Sequence, residues 1–253
     1  MRVALLASGS KGNAAFIEMD GVRVLIDAGI GIRRIKHELG ELGEDVASLD
    51  AILLTHEHND HIKGLKALMR ACDAPVYARR GTLRALPHVS ELPHERLRVI
   101  DDKMEIGSLK IATFNILHDA AEPVGYSLLG SRKLTVATDL GFVTDTVQKA
   151  IEGSDVLVLE ANHDREMLKK GPYPWPLKTR ILGNRGHLAN SDTAWTLARM
   201  KKKPAKIFLA HLSEQNNTPD IAEDTVRAIL TQQGAPLSDM DISLGAQDAM
   251  VTM

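Results

Sequence analysis

The 253-residue chain has one cysteine, Cys72, which rules out an intramolecular disulfide and a metal cage built from several thiolates. Cys72 itself reads as a small buried hydrophobe. Aromatic residues are scarce, at four Phe, three Tyr and two Trp, so any pair close together in sequence stands out. No apolar run approaches the roughly 18 residues needed to span a bilayer, and the opening Met1-Arg2-Val3-Ala4-Leu5-Leu6 is too short for a signal peptide. A cytoplasmic protein with no membrane association is expected. Neither sign of charge dominates: 31 Lys and Arg stand against 33 Asp and Glu, a net charge of −2. That balance excludes a protein that coats nucleic acid over its whole surface but leaves room for a local basic patch. With 44% hydrophobic and 25% charged residues, and no repeat or low-complexity tract, the chain has the composition of a globular protein with a proper core.

Its pattern mixes hairpins with strand-helix units. Strands are expected at Arg2 to Ala7, Ala14 to Met19 and, after an Asp20-Gly21 turn, Val22 to Ile26. A helical pattern follows at 30 to 42. The apolar run Ala51 to Leu54 ends on Thr55-His56, and helix is expected again from Ile62 to Arg70. Further strands fall at 109–117, 124–129, 132–138, 155–159, 206–210 and 241–244, and helices near 144–151, 190–200 and 219–232. Each apolar sheet face needs a covering layer, so two packed sheets with helices outside are expected, forming one domain over 1–253. Three prolines within 172–176 make Gly171 to Pro176 a loop, within a substrate-binding loop at 164–187.

Chemistry concentrates in Thr55-His56-Glu57-His58-Asn59-Asp60-His61. Four metal-ligand side chains sit within six residues, between an apolar strand and a helix, in a polar turn where packing gives them no purpose. His56 and His58, two apart, point the same way from an extended turn, while Asp60 and His61 open the helix and reach a second point nearby. Three apolar strands end on further ligand types: His118, Asp139 and His211. Imidazole and carboxylate donors favour zinc, iron or manganese over calcium or magnesium and leave the choice among those three open.

These residues resemble the metallo-β-lactamase superfamily, which carries His-x-His-x-Asp-His followed by a later His, Asp and His. The resemblance spans essentially the whole chain and implies an α+β fold, a four-layer αββα sandwich with the site at the edge between two sheets. It implies that His56, His58 and His118 hold one metal, that Asp60, His61 and His211 hold another, and that Asp139 bridges them. Asp27, in Leu25-Ile26-Asp27-Ala28-Gly29, matches an aspartate that supports the metal loop from behind. Two divalent ions of zinc, manganese or iron, bridged by a carboxylate and a solvent molecule, acidify that water into a hydroxide nucleophile, so the implied chemistry is hydrolysis. Seven motifs in order resemble the bacterial YycJ (WalJ) group more closely: Leu6 to Ala14, His118-Asp119-Ala120, Pro123 to Tyr126, Thr138 to Gly141, Leu159 to Asp164, Gly186 to Asn190 and His211 to Asn217. Ala189 departs from the expected serine. The group resemblance implies a 5′→3′ exonuclease on double-stranded DNA, linked to mismatch repair and so to DNA-repair partners.

Between Asp164 and His187 stand six basic residues (Arg165, Lys169, Lys170, Lys178, Arg180 and Arg185) against Asp164 and Glu166, together with Tyr173 and Trp175. Cations interleaved with aromatics suit a backbone groove with a stacking platform, Lys178 and Arg180 being candidate contacts. The same stretch also reads as a solvated loop with aromatics packed on the core. By resemblance to tRNA-processing nucleases of the superfamily, His187 contacts the scissile phosphate or acts as general acid, with Glu160 behind it fixing its tautomer. Catalytic candidates are therefore Asp60, His187 and Glu160. Asn13, His163, Asn216 and Asn217 join the substrate-facing candidates. Ser8 to Asn13 lacks the ending of a P-loop and leads into a strand, which argues against nucleoside triphosphate binding. A small-molecule, cyclic-phosphate phosphodiesterase, a lactone or thioester hydrolase, and a non-catalytic metal-binding protein remain the competing readings. Oligomeric state stays open.

Overall fold

The computed structural model describes residues 1–253 as two seven-stranded sheets with helices on both outer faces. The first sheet contains β1 (Arg2–Ala7), β2 (Ala14–Met19), β3 (Val22–Ile26), β4 (Ala51–Leu53), β5 (Val76–Ala78) and β6 (Leu97–Val99), with β14 (Val251–Thr252) beside β1. The second contains β7 (Lys103–Ile106), β8 (Leu109–Asn115), β9 (Val124–Leu129), β10 (Lys133–Ala137), β11 (Val156–Glu160), β12 (Lys206–Ala210) and β13 (Asp241–Leu244), in that spatial order. Both sheets follow one plan. An antiparallel portion, β1–β2–β3 or β7–β8–β9–β10, continues into parallel strands, β3–β4–β5–β6 or β10–β11–β12–β13.

Two-residue alternation along the strands builds the layers. Val3 and Leu5 of β1, Val156 and Val158 of β11, and Phe208 of β12 lie in the core between the sheets. Their neighbours point outward. Ala4 and Leu6 pack with Ile35 and Leu39 of α1 (Ile32–Glu41) and with Leu65, Leu68 and Met69 from the segment containing α2 (Asn59–Ile62) and α3 (Leu65–Ala71). A short α4 (Arg80–Ala85) follows β5. On the far side, Leu157, Leu159, Ile207 and Leu209 meet α5 (Asp145–Ile151), α8 (Asn190–Arg199) and α9 (Pro219–Gln232). The result is the expected αββα order. No helix is long and apolar enough to cross a membrane.

Three local expectations are corrected. The helix expected at 62–70 is broken between α2 and α3, because Gly64 donates its N–H to Ala28 O (2.7 Å) and ties the break to the end of β3. The strand expected at 109–117 ends at Asn115. The expected loop at 164–187 holds two helices, α6 (Arg165–Lys170) and α7 (Trp175–Leu182). Pro176 fits α7 because a proline in the first turn removes an N–H that has no intrahelical partner. Asp164 caps α6, accepting from the N–H groups of Glu166 and Met167.

Candidate metal centre and active site

The site lies beyond the C-terminal ends of the parallel strands, where β3, β4, β10, β11 and β12 deliver Asp27, the His56–His61 turn, Asp139, Glu160 and His211. Asp27, Asp139 and His211 adopt left-handed backbone conformations, with φ of 61°, 58° and 58°. Such conformations cost energy for residues other than glycine and persist where surrounding contacts fix them. Gly29 lets the β3 end meet the turn: a Cβ there would stand 1.6 Å from Asp60 O.

Two of the three donor clusters are the expected sets, and the third joins Asp139 and His211 to Glu160 and His187. His56, His58 and His118 converge in one expected set, and Asp60, His61, Asp139 and His211 in the other, each set with donor atoms within 4.8 Å of one another. The Asp139 carboxylate faces both: Oδ2 lies 3.2 Å from His61 Nε2, while Oδ1 lies 3.6 Å from His211 Nε2 and 3.9 Å from His118 Nε2. The imidazoles are held from behind. Asp27 Oδ2 takes His61 Nδ1 at 2.8 Å, and the same carboxylate accepts from Thr55 N and Thr55 Oγ1, both at 2.8 Å. His118 Nδ1 faces Gly186 O and His211 Nδ1 faces Glu160 Oε1, which leaves Nε2 of each ring to the site. His211 N donates to Ser8 Oγ (2.7 Å), and Asn162 Nδ2 donates to His211 O.

Buried polar atoms without protein partners test the fit of a cation. His56 Nε2 makes no hydrogen bond although it is sealed from solvent, and Asp139 Oδ2, equally sealed, has only His61 Nε2 beside it, at 3.2 Å. An orphaned ring nitrogen and a carboxylate oxygen facing only imidazoles are what a divalent cation satisfies. Electrostatics agree. Burial opposes ionisation of Asp139, yet His211 and His61 hold its carboxyl well below the usual carboxylate range. Burial likewise works against protonated His61 and His211, but Asp139 outweighs it, with Asp27 helping at His61 and Asp60 at His211; both histidines are raised, His211 to about 10. Burial and the neighbouring His61 push His56 down, towards the neutral form that ligates.

Glu160 joins this centre to His187. Completely buried, it accepts from His187 Nδ1 (2.7 Å) and His211 Nδ1 (3.0 Å) on Oε1, and from Leu140 N (3.0 Å) and Leu188 N (3.1 Å) on Oε2. Burial alone would raise its pKa; His187 and His211 bring it down to about 2. His187 is partly exposed, and with Nδ1 held, Nε2 is free at a cavity of about 350 Å³ shared with His58, Asp60, His118, Asp139 and His211. Tyr173 and Arg180 from the α6–α7 arm line that cavity, and Arg180 pairs with Asp119.

The substrate-facing candidates fall in different places. Asn13 is buried; its carboxamide bonds Gly9 and lies 3.3 Å from Asp60 Oδ2 and 3.2 Å from His61 Nε2, inside the metal cradle. Asn216 and Asn217 are buried too. Asn217 joins Asn190 to the Ala161 and Asn162 carbonyls, and Asn216 bonds Ser213. Lys178 is buried with Nζ on Lys169 O (2.6 Å), which removes it from the groove. His163 lines a neighbouring cavity on the other side of His187. Ala189 caps α8 without a side-chain acceptor. Sequence reasoning gave no role to Glu57, whose Oε1 takes Ala121 N (2.7 Å) and pins the loop after His118, or to Asp119, 3.4 Å from His118 Nε2. Both lie in quoted motifs, but Glu57 finds its partner in a distant loop and Asp119 reaches beyond its neighbour His118 to Arg180 of α7.

An αββα sandwich with paired His/Asp clusters at its strand ends defines the class of metallo-β-lactamase-fold hydrolases. Residues 22–212 match the family described as "Beta-lactamase superfamily domain", and the chain belongs to that superfamily and, within it, to the YycJ/WalJ group. Exodeoxyribonuclease YycJ of Bacillus anthracis is 38% identical over 239 residues, 92% of this chain and 90% of that protein. Exodeoxyribonuclease WalJ of Streptococcus pneumoniae is 36% identical over 238 residues, 91% of this chain and 88% of that protein. The crystal structure of the metallo-β-lactamase-fold protein YhfI from Bacillus subtilis shares the fold at a TM-score of 0.70 and 15% identity, covering 100% of this chain and 99% of that one.

Proposed function

We propose that the protein is a cytoplasmic, metal-dependent phosphodiesterase acting on DNA as a 5′→3′ exonuclease at duplex ends. The observation that carries this reading is the Glu160–His187 pair at the wall of the cavity holding both donor clusters. An imidazole with one nitrogen on a buried carboxylate and the other free towards the cleft can meet a phosphate oxygen and return a proton to a leaving alkoxide. The exodeoxyribonuclease relatives, matched along most of their length, support the substrate class.

Two divalent ions of zinc, manganese or iron suit the donors, one on His56, His58 and His118, the other on Asp60, His61 and His211, with Asp139 between them. When bound, such ions supply an acidified water and positive charge against phosphate oxygens. Asn13 and Asp27 fix Asp60 and His61, while Glu160 fixes His187 and His211 together. Arg180 and Tyr173 at the cavity and Trp175, 68% exposed on α7, form the path for the strand.

The test compares a linear duplex with bis-p-nitrophenyl phosphate. Duplex digestion should fall steeply with salt while small-ester turnover does not, and Arg180→Ala should lower duplex kcat/KM about tenfold more than that of the ester. Equal effects would favour a second reading, a phosphodiesterase for small cyclic phosphates. The occupied Lys178 amine and the Arg180–Asp119 pair are the observations on its side.

A further inference from the structure

A second cavity, of about 250 Å³, lies against the metal cleft with His187 as the wall common to both. It opens among the loop after β10, the end of α7, the start of α6 and one face of α8. Two of the molecule's few exposed large apolar side chains face it, Phe142 (52% exposed) and Trp195 (40%). Arg165 and Arg199 line it as well; Asp192 pairs with Arg165, leaving Arg199 as the uncompensated charge. His163, 1% exposed, borders the cavity with neither ring nitrogen hydrogen-bonded. Gly141 lets this wall close up, since a Cβ there would stand 2.4 Å from Gly183 O.

An enzyme that removes nucleotides from an end needs one side of the scissile phosphate to hold a single terminal residue and the other to pass a continuing strand. On the reading above, the metal cleft lined by Tyr173 and Arg180 is the passing side. We infer that the Phe142–Trp195–Arg199 cavity is the subsite for the terminal nucleotide, stacking its base on the two aromatics and meeting its 5′-phosphate with Arg199. Exposed aromatics accept any base by stacking, and an unpaired guanidinium suits a phosphate with two free oxygens. The unpartnered His163 imidazole, held near neutral by burial with its pKa down at about 4, offers one donor and one acceptor to the polar edge of that residue. This assignment rests on the phosphodiesterase reading above.

The experiment uses the metal-free full chain. Trp175→Phe leaves Trp195 as its single tryptophan. Deoxyadenosine 5′-monophosphate should then quench emission saturably, binding about tenfold more tightly than deoxyadenosine. Phe142→Ala in that background should weaken the nucleotide about tenfold, and Arg199→Ala should erase the difference between nucleotide and nucleoside. With metal restored, the ratio of kcat/KM for 5′-phosphorylated over 5′-hydroxyl duplex ends should exceed one and fall to one in Arg199→Ala, a ratio that does not depend on the fraction folded. No saturable quench, or nucleotide affinity unchanged in both variants, overturns the subsite. A protein that binds the nucleotide at Trp195 yet hydrolyses neither DNA nor a small phosphodiester loses the phosphodiesterase reading instead.

Discussion

Glu160→Gln isolates the group that joins the two halves of the site. Gln is isosteric and keeps one carbonyl oxygen for the Leu140 and Leu188 N–H groups, but its amide then meets His187 Nδ1 and His211 Nδ1 with donors where the carboxylate accepted. Either both rings change tautomer, presenting N–H to the cleft, or both contacts are lost. Two charge-assisted hydrogen bonds are worth roughly 1.5–3 kcal/mol each. A pKa of about 2 in the folded chain, against roughly 4.3 unfolded, corresponds to about 3 kcal/mol of stability. The folded value is depressed, so that stability is present above pH 4.3 and is lost as pH falls towards 2. Losing the aligned imidazole should lower kcat by about two orders of magnitude, and losing the support of His211 should weaken metal binding by roughly 10- to 100-fold. His187→Ala should share the first loss and keep the metal. Steady-state kinetics on a duplex DNA end, whose alkoxide leaving group needs the proton that a nitrophenolate does not, with metal content by mass spectrometry, separates the two. If Glu160→Gln keeps both wild-type turnover and metal affinity, the assignment of Glu160 as the positioning residue fails.

Three further outcomes follow from the same geometry. His61 and His211 are raised in the metal-free centre, so at pH 7 metal uptake should release about two protons; calorimetry in buffers of different ionisation enthalpy measures the number, and none released contradicts the electrostatics. Gly29→Ala should cost roughly 3 kcal/mol or prevent folding, because its Cβ has no room beside Asp60 O; unchanged urea stability would show that the β3 end is not packed on the turn. His163 has its folded pKa lowered to about 4 by burial. The unfolded chain therefore binds the extra proton between pH 6.5 and 4, and stability falls with pH across that window by up to about 3 kcal/mol. Urea titrations of metal-free protein at pH 7.5 and 5 should show a smaller drop for His163→Gln than for wild type, and equal drops would contradict it.

The metal cluster was legible because an apolar strand cannot explain a His or Asp at its end, and the sheet plan carries His118, Asp139 and His211 back to the His56–His61 turn. The Glu160–His187 contact joins residues 27 apart and was legible only through motif resemblance. Asn216 and Asn217 show the reverse case: they stand in a motif beside His211, yet their partners Ser213, Asn190 and the Ala161 carbonyl give them packing roles that no local pattern records. The prolines do mark the loop between α6 and α7 at residues 171–174, but they hide the start of α7, because Pro176 sits in the one turn of a helix that tolerates it. Lys178 misled for a related reason: sequence counts its charge, but only the fold shows its amine folded back onto Lys169 O.

The measurement that bears most directly on the account is digestion of a linear duplex labelled at its 5′ or 3′ end by metal-reconstituted protein, run beside Asp139→Ala and bis-p-nitrophenyl phosphate. Early release of 5′ label, with loss of all turnover in the variant, is the predicted result. An intact duplex, or an Asp139→Ala protein that still hydrolyses either substrate, would contradict it.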